Sequence, residues 1–298
     1  MHSGTKSPSP RQQPILHQSD EGGVMLPSYL AGNRVTLESI SRQNYQTARL
    51  SDRVILCRVL GKYIVYADAE DVGITPHLCL DGFWESWITI AMARVLKPGW
   101  CCVDVGANHG YYTLIMADAV ESAGRVLAVE PQPQLAELLR LSVEVNGFHR
   151  HATVLQKAVA DTVSRQTHLV VPRRRGLDAT LCREATAADD VVEVETVTLD
   201  QITADWPRVD LIKIDAEGAE ESIWRGMHET LARNQGITIF MEMKCSRYAN
   251  PSAFVRELLG AGFPLRYIDY DATLKNLTEE QILTDRIEEE RMLFLRRE

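Results

Sequence analysis

Short apolar segments alternate along the chain with longer segments in which apolar side chains recur every three or four positions. Short buried segments predict strands, and the longer periodic segments predict helices. Strands are expected at about 101–105, 125–129, 153–158, 209–214 and 237–243. Helices are expected at 83–96, 111–120, 134–146, 218–233 and 251–261. This alternation is typical of an α/β fold with a mostly parallel sheet and right-handed crossovers.

Other strand patterns lie outside this alternation. Residues 54–60 and 63–67 flank Gly61-Lys62, which predicts a β-hairpin. A β insertion is expected from about 165 to 198, and its clearest strand pattern is at 191–197. The last strands are expected at 265–268 and 291–295.

Composition divides the chain into three parts. Residues 1–27, rich in Ser, Pro, Gln and Gly, predict a disordered arm because they bury too little surface to offset the entropy of ordering. Residues 28–80 are expected to form an N-terminal extension with the hairpin, and residues 81–298 one catalytic domain. A chain of 298 residues with 45% hydrophobic side chains is long enough for one large core.

A carboxylate and two glycines lie where the strand at 101–105 turns into the next helix. Gly106 and Gly110 let the backbone pass close to a ligand, and Asn108 is expected to cap the helix. The dinucleotide pattern G-x-G-x-x-G is absent, so a pyrophosphate finds fewer backbone amides here. Asp104 favours a cationic or hydroxyl-rich ligand such as S-adenosylmethionine, which carries a sulfonium, an ammonium and a ribose.

Two further strand ends carry charged side chains. Glu130 follows the strand at 125–129, where a carboxylate can accept both hydroxyls of a ribose. Lys213 lies within an apolar strand, and Asp215 and Glu217 follow that strand. Because a buried lysine needs a partner, Lys213 and Asp215 either form a structural ion pair between neighbouring strands or belong to the site. Glu217 is equally explained as an acidic residue at a helix N-terminus.

Four blocks occur in a fixed order: VDVGANHGYY at 103–112, VEP at 129–131, VTLD at 197–200 and IKIDAEGAE at 212–220. Together they resemble the FkbM-type S-adenosylmethionine-dependent methyltransferases, over roughly residues 80–245. The resemblance implies the Rossmann-like class I methyltransferase sheet, whose last strand is antiparallel, and S-adenosylmethionine as the cofactor. The cofactor-binding residues it implies are Asp104, Gly106, Ala107, Asn108, Gly110, Tyr112, Glu130 and Asp215.

The resemblance also implies methyl transfer, usually to a hydroxyl oxygen of a sugar, a lipid or a secondary metabolite. An alcohol is a poor nucleophile while protonated, so some group must accept its proton during attack. The candidates for this catalytic role are His109, Lys213, Asp215, Glu217 and Glu242, and Lys213 qualifies only if burial lowers its pKa.

A divalent cation is a separate hypothesis for the same strand ends. Asp215 and Glu242 are expected on adjacent strands and could bind Mg²⁺. They could equally be paired with Lys213 and Lys244, and we favour the ion-pair interpretation, with no metal.

Charge and cysteine content restrict the partners. A net charge of −9 and a pI near 5.5 argue against a protein that wraps nucleic acid. The local basic run Arg173-Arg174-Arg175 is typical of a solvated loop or of a contact to an anionic acceptor. The six cysteines lack structural-zinc spacing and indicate a reduced, cytoplasmic protein, and no segment predicts a signal peptide or a membrane span.

Two alternatives stay open on the sequence alone. One is a nucleotide-sugar or NAD-dependent enzyme on a Rossmann sheet, and the other is a non-catalytic protein that binds S-adenosylmethionine. No pattern specifies the methyl acceptor, oxygen as against nitrogen or carbon methylation, or the oligomeric state.

Overall fold

The structure is a computed structural model that describes residues 27–172, 179–181, 184–285 and 289–297. Most of the arm predicted at 1–27 and the run Arg173–Arg175 lie outside these residues. The strands are β1 (Gln46–Arg49), β2 (Val54–Val59), β3 (Tyr63–Asp68), β4 (Cys101–Val105), β5 (Arg125–Val129), β6 (Ala152–Leu155), β7 (Ala158–Val159), β8 (Ser164–Pro172), β9 (Asp189–Val197), β10 (Leu211–Ile214), β11 (Thr238–Met243), β12 (Arg266–Ile268), β13 (Leu274–Asn276) and β14 (Arg291–Leu295).

Nine α-helices lie among the described residues. They are α1 (Arg34–Asn44), α2 (Thr75–Leu80), α3 (Ser86–Val95), α4 (Tyr111–Val120), α5 (Pro133–Val145), α6 (Leu199–Ile202), α7 (Glu220–Arg225), α8 (His228–Arg233) and α9 (Pro251–Gly260). Local sequence explains where several of these helices begin. Helix α5 begins at a proline, and the Asn250 side chain caps α9 by accepting from the Ala253 N–H.

An eight-stranded sheet forms the centre of the molecule, in the order β13-β12-β14-β11-β10-β4-β5-β6. The five strands from β11 to β6 are parallel, and β14 runs antiparallel to both β11 and β12. The mostly parallel sheet with an antiparallel last strand is therefore confirmed.

The sheet is covered on both faces, which explains why its central strands are mostly apolar. Along β4, Cys102 packs with α3, α4 and α5, whereas Val103 packs on the opposite side with α7, α8 and α9. All ten residues of α4 are buried. Within the described residues, no helix has the length and apolarity needed to cross a bilayer.

The strand expected at 153–158 and the helix expected at 218–233 are wrong in their extent. The strand expected at 153–158 ends at Leu155, and the following β7 pairs with β9 in the smaller sheet β7-β9-β8 of the insertion. The helix expected at 218–233 is divided into α7 and α8 at Gly226, where an added Cβ would lie 2.3 Å from the carbonyl oxygen of Ala160. Close approach of two backbones, which leaves no trace in hydrophobic periodicity, fixes this break.

The N-terminal extension contains the predicted β2–β3 hairpin and one strand that was not predicted, the exposed edge strand β1. The extension shares a single apolar cluster with α3, α4 and α5. Polar contacts add to this packing, because both the Lys62 ammonium and the Tyr63 hydroxyl donate to Asp118 on α4, at 2.6 and 2.7 Å. The extension is thus joined to the sheet domain by a common core.

Candidate active site

The carboxyl ends of β4, β5, β10 and β11 open into one cleft of about 250 Å³. Parallel α/β sheets bind ligands at this edge, where the crossover loops diverge. The cleft is lined by ten of the residues predicted from the sequence, namely Gly106, Ala107, Asn108, His109, Tyr112, Glu130, Lys213, Asp215, Glu217 and Glu242. Two other predicted residues, Asp104 and Gly110, do not line it.

The glycine loop after β4 forms the floor of the cleft. Gly106 has φ of +72°, and an added Cβ would lie 1.8 Å from the carbonyl oxygen of Asp215. Any side chain would therefore separate the loop from the end of β10. The prediction that Asn108 caps α4 is wrong. Its side chain instead accepts from the adjacent His109 N–H, and Gly110 occupies the N-cap position.

Asp104 lies beneath this loop and is fully buried. One carboxylate oxygen accepts from the Thr113 hydroxyl at 2.6 Å, whereas Oδ1 has no hydrogen-bond partner. Burial raises the pKa of Asp104 above its usual range. An unpartnered buried oxygen beneath the loop is suited to a donor that a buried water molecule supplies.

Glu130 occupies the end of β5, as predicted, and is 3% exposed. Its two oxygens accept from the backbone N–H groups of Asn108 and Gln132, at 2.8 and 2.9 Å. These bonds fix the carboxylate and leave each oxygen a second lone pair for the hydroxyls of a diol. Burial raises the pKa of Glu130 to about 7.

Lys213 and Asp215 form the predicted ion pair, at 2.9 Å, but along one strand and not between neighbouring strands. The Lys213 ammonium also lies 4.9 Å from the centre of the Tyr112 ring. Burial alone would lower the pKa of Lys213, but the charges of Asp215 and Asp104 outweigh it and raise that pKa above its usual value. The condition under which Lys213 could serve as the proton acceptor is therefore not met.

Arg247, which was not predicted from the sequence, forms ion pairs with three carboxylates on one side of the cleft. Arg247 follows β11 in a short 3₁₀ turn and contacts Glu217, Glu242 and Glu290 at 2.6, 2.6 and 2.9 Å. Glu242 was predicted to pair with a lysine, but its partner is Arg247, and Lys244 pairs with Glu290. Oxygens of Asp215, Glu217 and Glu242 lie within 4.8 Å of one another, a spacing that suits a divalent cation. The guanidinium of Arg247 already supplies positive charge to two of these three carboxylates.

His109 is 1% exposed and faces the N-terminal extension as well as the cleft. Its Nε2 accepts from the Asp68 N–H at 3.0 Å, which assigns the proton to Nδ1. Burial lowers the pKa of His109, and acceptance at Nε2 requires the neutral form of the ring. Since the accepting nitrogen is already hydrogen-bonded, the ring connects the glycine loop to β3 and is poorly placed to accept a proton.

Glu85 is a second residue that the sequence analysis missed. Its φ is +35°, an uncommon value for a residue with a side chain, and it immediately precedes α3. The Tyr112 hydroxyl donates to its carboxylate at 2.9 Å. Burial, reinforced by the charge of Asp215, raises the pKa of Glu85 to about 7. The predicted helix at 83–96 placed Glu85 inside a regular helical turn. In the structure α3 begins only at Ser86, and this later start leaves Glu85 outside the helix.

An open groove of about 720 Å³ adjoins the cleft and is called the acceptor groove after the role that we propose for it. Its walls include α1, the segment before α3, and the strands β12 and β14. Aromatic rings are prominent in it: Trp87 and Tyr270 meet edge to face at 4.9 Å, and Arg34 lies 5.2 Å from the Trp87 ring. Cleft and groove share four lining residues: Trp84, Glu85, Glu242 and Glu290.

Comparison with known families matches residues 104–265 to the methyltransferase FkbM domain. A Methanopyrus kandleri protein-L-isoaspartate O-methyltransferase is 37% identical over 59 residues, which are 20% of this chain and 26% of that protein. A ribosomal protein L11 methyltransferase from Anoxybacillus flavithermus is 26% identical over 152 residues, 47% of this chain and 48% of that protein. The chain thus spans at most about half the length of these two curated relatives.

Among solved structures, the precorrin-6y C5,15-methyltransferase of Geobacter metallireducens GS-15 is 12% identical with a TM-score of 0.41, covering 72% of this chain and 88% of that one. An S-adenosylmethionine-dependent O-methyltransferase of Thermotoga maritima is 16% identical with a TM-score of 0.39, and the match covers 72% of this chain and 65% of that one. Neither likeness bears on the acceptor.

Proposed function

Because the chain belongs to the methyltransferase FkbM domain family of S-adenosylmethionine-dependent methyltransferases, we propose that it methylates a hydroxyl oxygen of a small molecule, a glycan or a lipid bound in the acceptor groove. One observation carries this proposal. The groove and the cleft meet at Glu85, a carboxylate whose pKa of about 7 lies near the working pH of a general base.

The cleft fits S-adenosylmethionine in its chemistry. Glu130 presents lone pairs to a ribose diol, and the loop at Gly106 leaves room for backbone contact. Six carboxylates and three basic side chains lie among the described lining residues, which favours a ligand carrying sulfonium and ammonium charges. When bound, S-adenosylmethionine supplies the methyl group on an electrophilic sulfur.

Glu85 is the best-placed proton acceptor among the candidates. Lys213 is held protonated, and the Nε2 atom of His109 is engaged by a backbone N–H. Glu217 and Glu242 are held by Arg247, and Asp215 by Lys213. The Tyr112 hydroxyl orients the Glu85 carboxylate towards the point where the groove opens. A hydroxyl bound there would give its proton to Glu85 as its oxygen attacks.

The acceptor groove supports a ligand with both apolar and hydroxylated faces. The Tyr270 ring, at a residue that is 59% exposed, and the partly exposed Trp87 ring provide flat apolar surface. Ion pairs such as Arg34–Glu38 and Arg291–Glu289 offer fixed donors and acceptors beside those rings. We also propose a reducing, cytoplasmic location, which is consistent with the five free cysteines among the described residues.

Calorimetric titration with S-adenosylmethionine tests the donor, with NAD and a nucleotide sugar as controls. We expect micromolar binding of S-adenosylmethionine alone, and its loss in Asp104→Ala. Heat from NAD or the nucleotide sugar, with none from S-adenosylmethionine, would contradict the proposal.

Transfer of a radiolabelled methyl group to a panel of hydroxylated glycans, lipids and phenols tests the acceptor. Protein and RNA fractions belong in the same panel. Label in a protein or RNA fraction instead of a hydroxylated small molecule would overturn the proposed acceptor class while leaving the methyltransferase activity intact.

A further inference from the structure

The thiols of Cys57 and Cys79 face each other in the N-terminal extension. Their sulfur atoms are 3.4 Å apart, one on β2 and the other on α2. Cys57 is completely buried, whereas Cys79 is partly exposed to solvent. Neither residue lines the cleft or the acceptor groove, so the proposed reaction assigns no role to the pair.

The environment makes Cys79 the more reactive thiol of the two. A hydrogen bond between the two sulfurs lowers the pKa of Cys79 to about 7 and raises that of Cys57. The thiolate is the form that attacks a disulfide. Burial instead raises the pKa of Cys101, Cys102 and Cys245, which disfavours their thiolates.

The geometry requires little movement for a bond between these sulfurs. A disulfide has an S–S length of about 2.05 Å, so the two atoms must approach by about 1.4 Å. Helix α2 packs directly against β2. Side-chain rotation and a small shift of this six-residue helix can supply the movement.

We propose that Cys57 and Cys79 form a reversible disulfide, and that the site is modified by small disulfide oxidants such as oxidised glutathione. The Cys79 thiolate attacks one sulfur of the oxidant and releases the other as a thiolate, which leaves a mixed disulfide on Cys79. Cys57 then loses its proton and attacks the Cys79 sulfur, releasing the second thiolate. The protein loses two electrons and two protons, and the oxidant becomes two thiols.

The bond would connect α2 covalently to the hairpin close to the active site. Between the two cysteines lie Asp68, which donates to His109, and Ile74, which lines the cleft. Beyond Cys79 the chain leads directly to Trp84 and Glu85. Oxidation would thus fix the segment that carries the entrance of the acceptor groove. The proposal does not rest on methyl transfer.

Incubation of the full chain with oxidised glutathione, followed by digestion without reductant and mass spectrometry, tests this site. We expect a Cys57–Cys79 cross-linked peptide that dithiothreitol releases. In Cys57→Ala we expect a stable glutathione adduct on Cys79 that forms more slowly, because the variant lacks both the thiol that lowers the pKa of Cys79 and the thiol that would release the adduct. In Cys79→Ala, a change at a partly exposed position, neither product should form. The control Cys101→Ala should behave as the wild type.

Three results would overturn the proposal. They are the absence of a cross-link while the protein remains folded, a cross-link from either cysteine to Cys182 or another cysteine, and a glutathione adduct that persists on Cys79 in the wild type. None of them affects the binding of S-adenosylmethionine, so the test is separate from that of the methyltransferase proposal.

Discussion

At the scale of single residues, the site depends on a few side chains held in unusual settings. Glu85 has a positive φ, and Asp104 has a buried oxygen without a partner. Arg247 holds three carboxylates beside the cleft. Such features are costly within a folded protein and are retained where the surrounding structure supports them, commonly at active sites.

Replacing Glu85 by Gln should remove the proposed proton acceptor and retain the side-chain size. We expect kcat on the acceptor found in the panel to fall by about 10²- to 10⁴-fold, with the affinity for S-adenosylmethionine unchanged. A base acts when deprotonated, so wild-type kcat should rise with pH through about 7, and the variant should lose this rise. Glu38→Gln, in the same groove, should retain it, and an unchanged profile in Glu85→Gln would refute the role.

Gly106→Ala should abolish binding of S-adenosylmethionine, because its Cβ would lie 1.8 Å from the Asp215 carbonyl oxygen. Gly147→Ala is a matched control, since Gly147 also has a positive φ, of 79°, but no atom within 4 Å of the added Cβ. We expect the control to cost only about 1 kcal/mol of stability from the backbone conformation. Calorimetry and thermal denaturation measure the two effects, and equal behaviour would argue against the close approach.

Arg247→Met should create a cation site that the wild type lacks. Without the guanidinium, the oxygens of Asp215, Glu217 and Glu242 stay close together, and the positive charge that Arg247 supplies to Glu217 and Glu242 is lost. We expect Mn²⁺ binding to the variant by electron paramagnetic resonance, and wild-type turnover that is insensitive to EDTA. Equal Mn²⁺ affinity in both proteins, or loss of wild-type turnover in EDTA, would favour a metal-dependent mechanism.

At the scale of elements, hydrophobic periodicity identified most of the sheet and the helices that cover it. Burial on both faces makes β4, β5 and β11 mostly apolar, so their positions were predictable from the sequence. The break between α7 and α8 was not predictable from the sequence, because it depends on a backbone contact with Ala160. The edge strand β1 was missed as well, since its four residues are all exposed.

The connection between the hairpin and α4 should contribute measurably to stability. Tyr63→Phe removes a hydrogen bond to the buried carboxylate of Asp118 and should cost about 1–3 kcal/mol. Urea unfolding measures this change. Tyr45→Phe, at a residue that is 40% exposed, should stay within about 0.5 kcal/mol of the wild type. A negligible cost in Tyr63→Phe would mean that this hydrogen bond contributes little to holding the extension against α4.

At the scale of the whole molecule, cofactor and fold were predictable from the sequence, whereas the arrangement around the acceptor was not. The residues of the glycine loop and Glu130 are close in sequence or at consecutive strand ends, so topology brings them together. Glu85 and Arg247 come from segments whose positions depend on the tertiary packing of α3 and of the turn after β11. No sequence spacing relates them to the cleft.

Product binding should stabilise the folded protein as a whole. A ligand at 100 times its Kd adds about 2.7 kcal/mol, so S-adenosylhomocysteine at that concentration should raise the Tm by about 5 °C. Scanning calorimetry measures the shift, with NAD at the same concentration as the control. A shift with NAD and none with S-adenosylhomocysteine would contradict the proposed donor site.

The acceptor groove lies almost entirely outside the segment that matches the family. Of its lining residues only Glu242 falls within residues 104–265; Arg34, Trp84 and Trp87 precede that segment, and Tyr267 and Tyr270 follow it. Apart from the four residues that line both the groove and the cleft, substitutions along the groove can therefore accumulate without disturbing the cleft. In evolutionary terms, one inherited donor-binding unit can be recruited to new acceptors by divergence of its flanks, and chimaeras that exchange the flanks between relatives are the natural route to altered specificity.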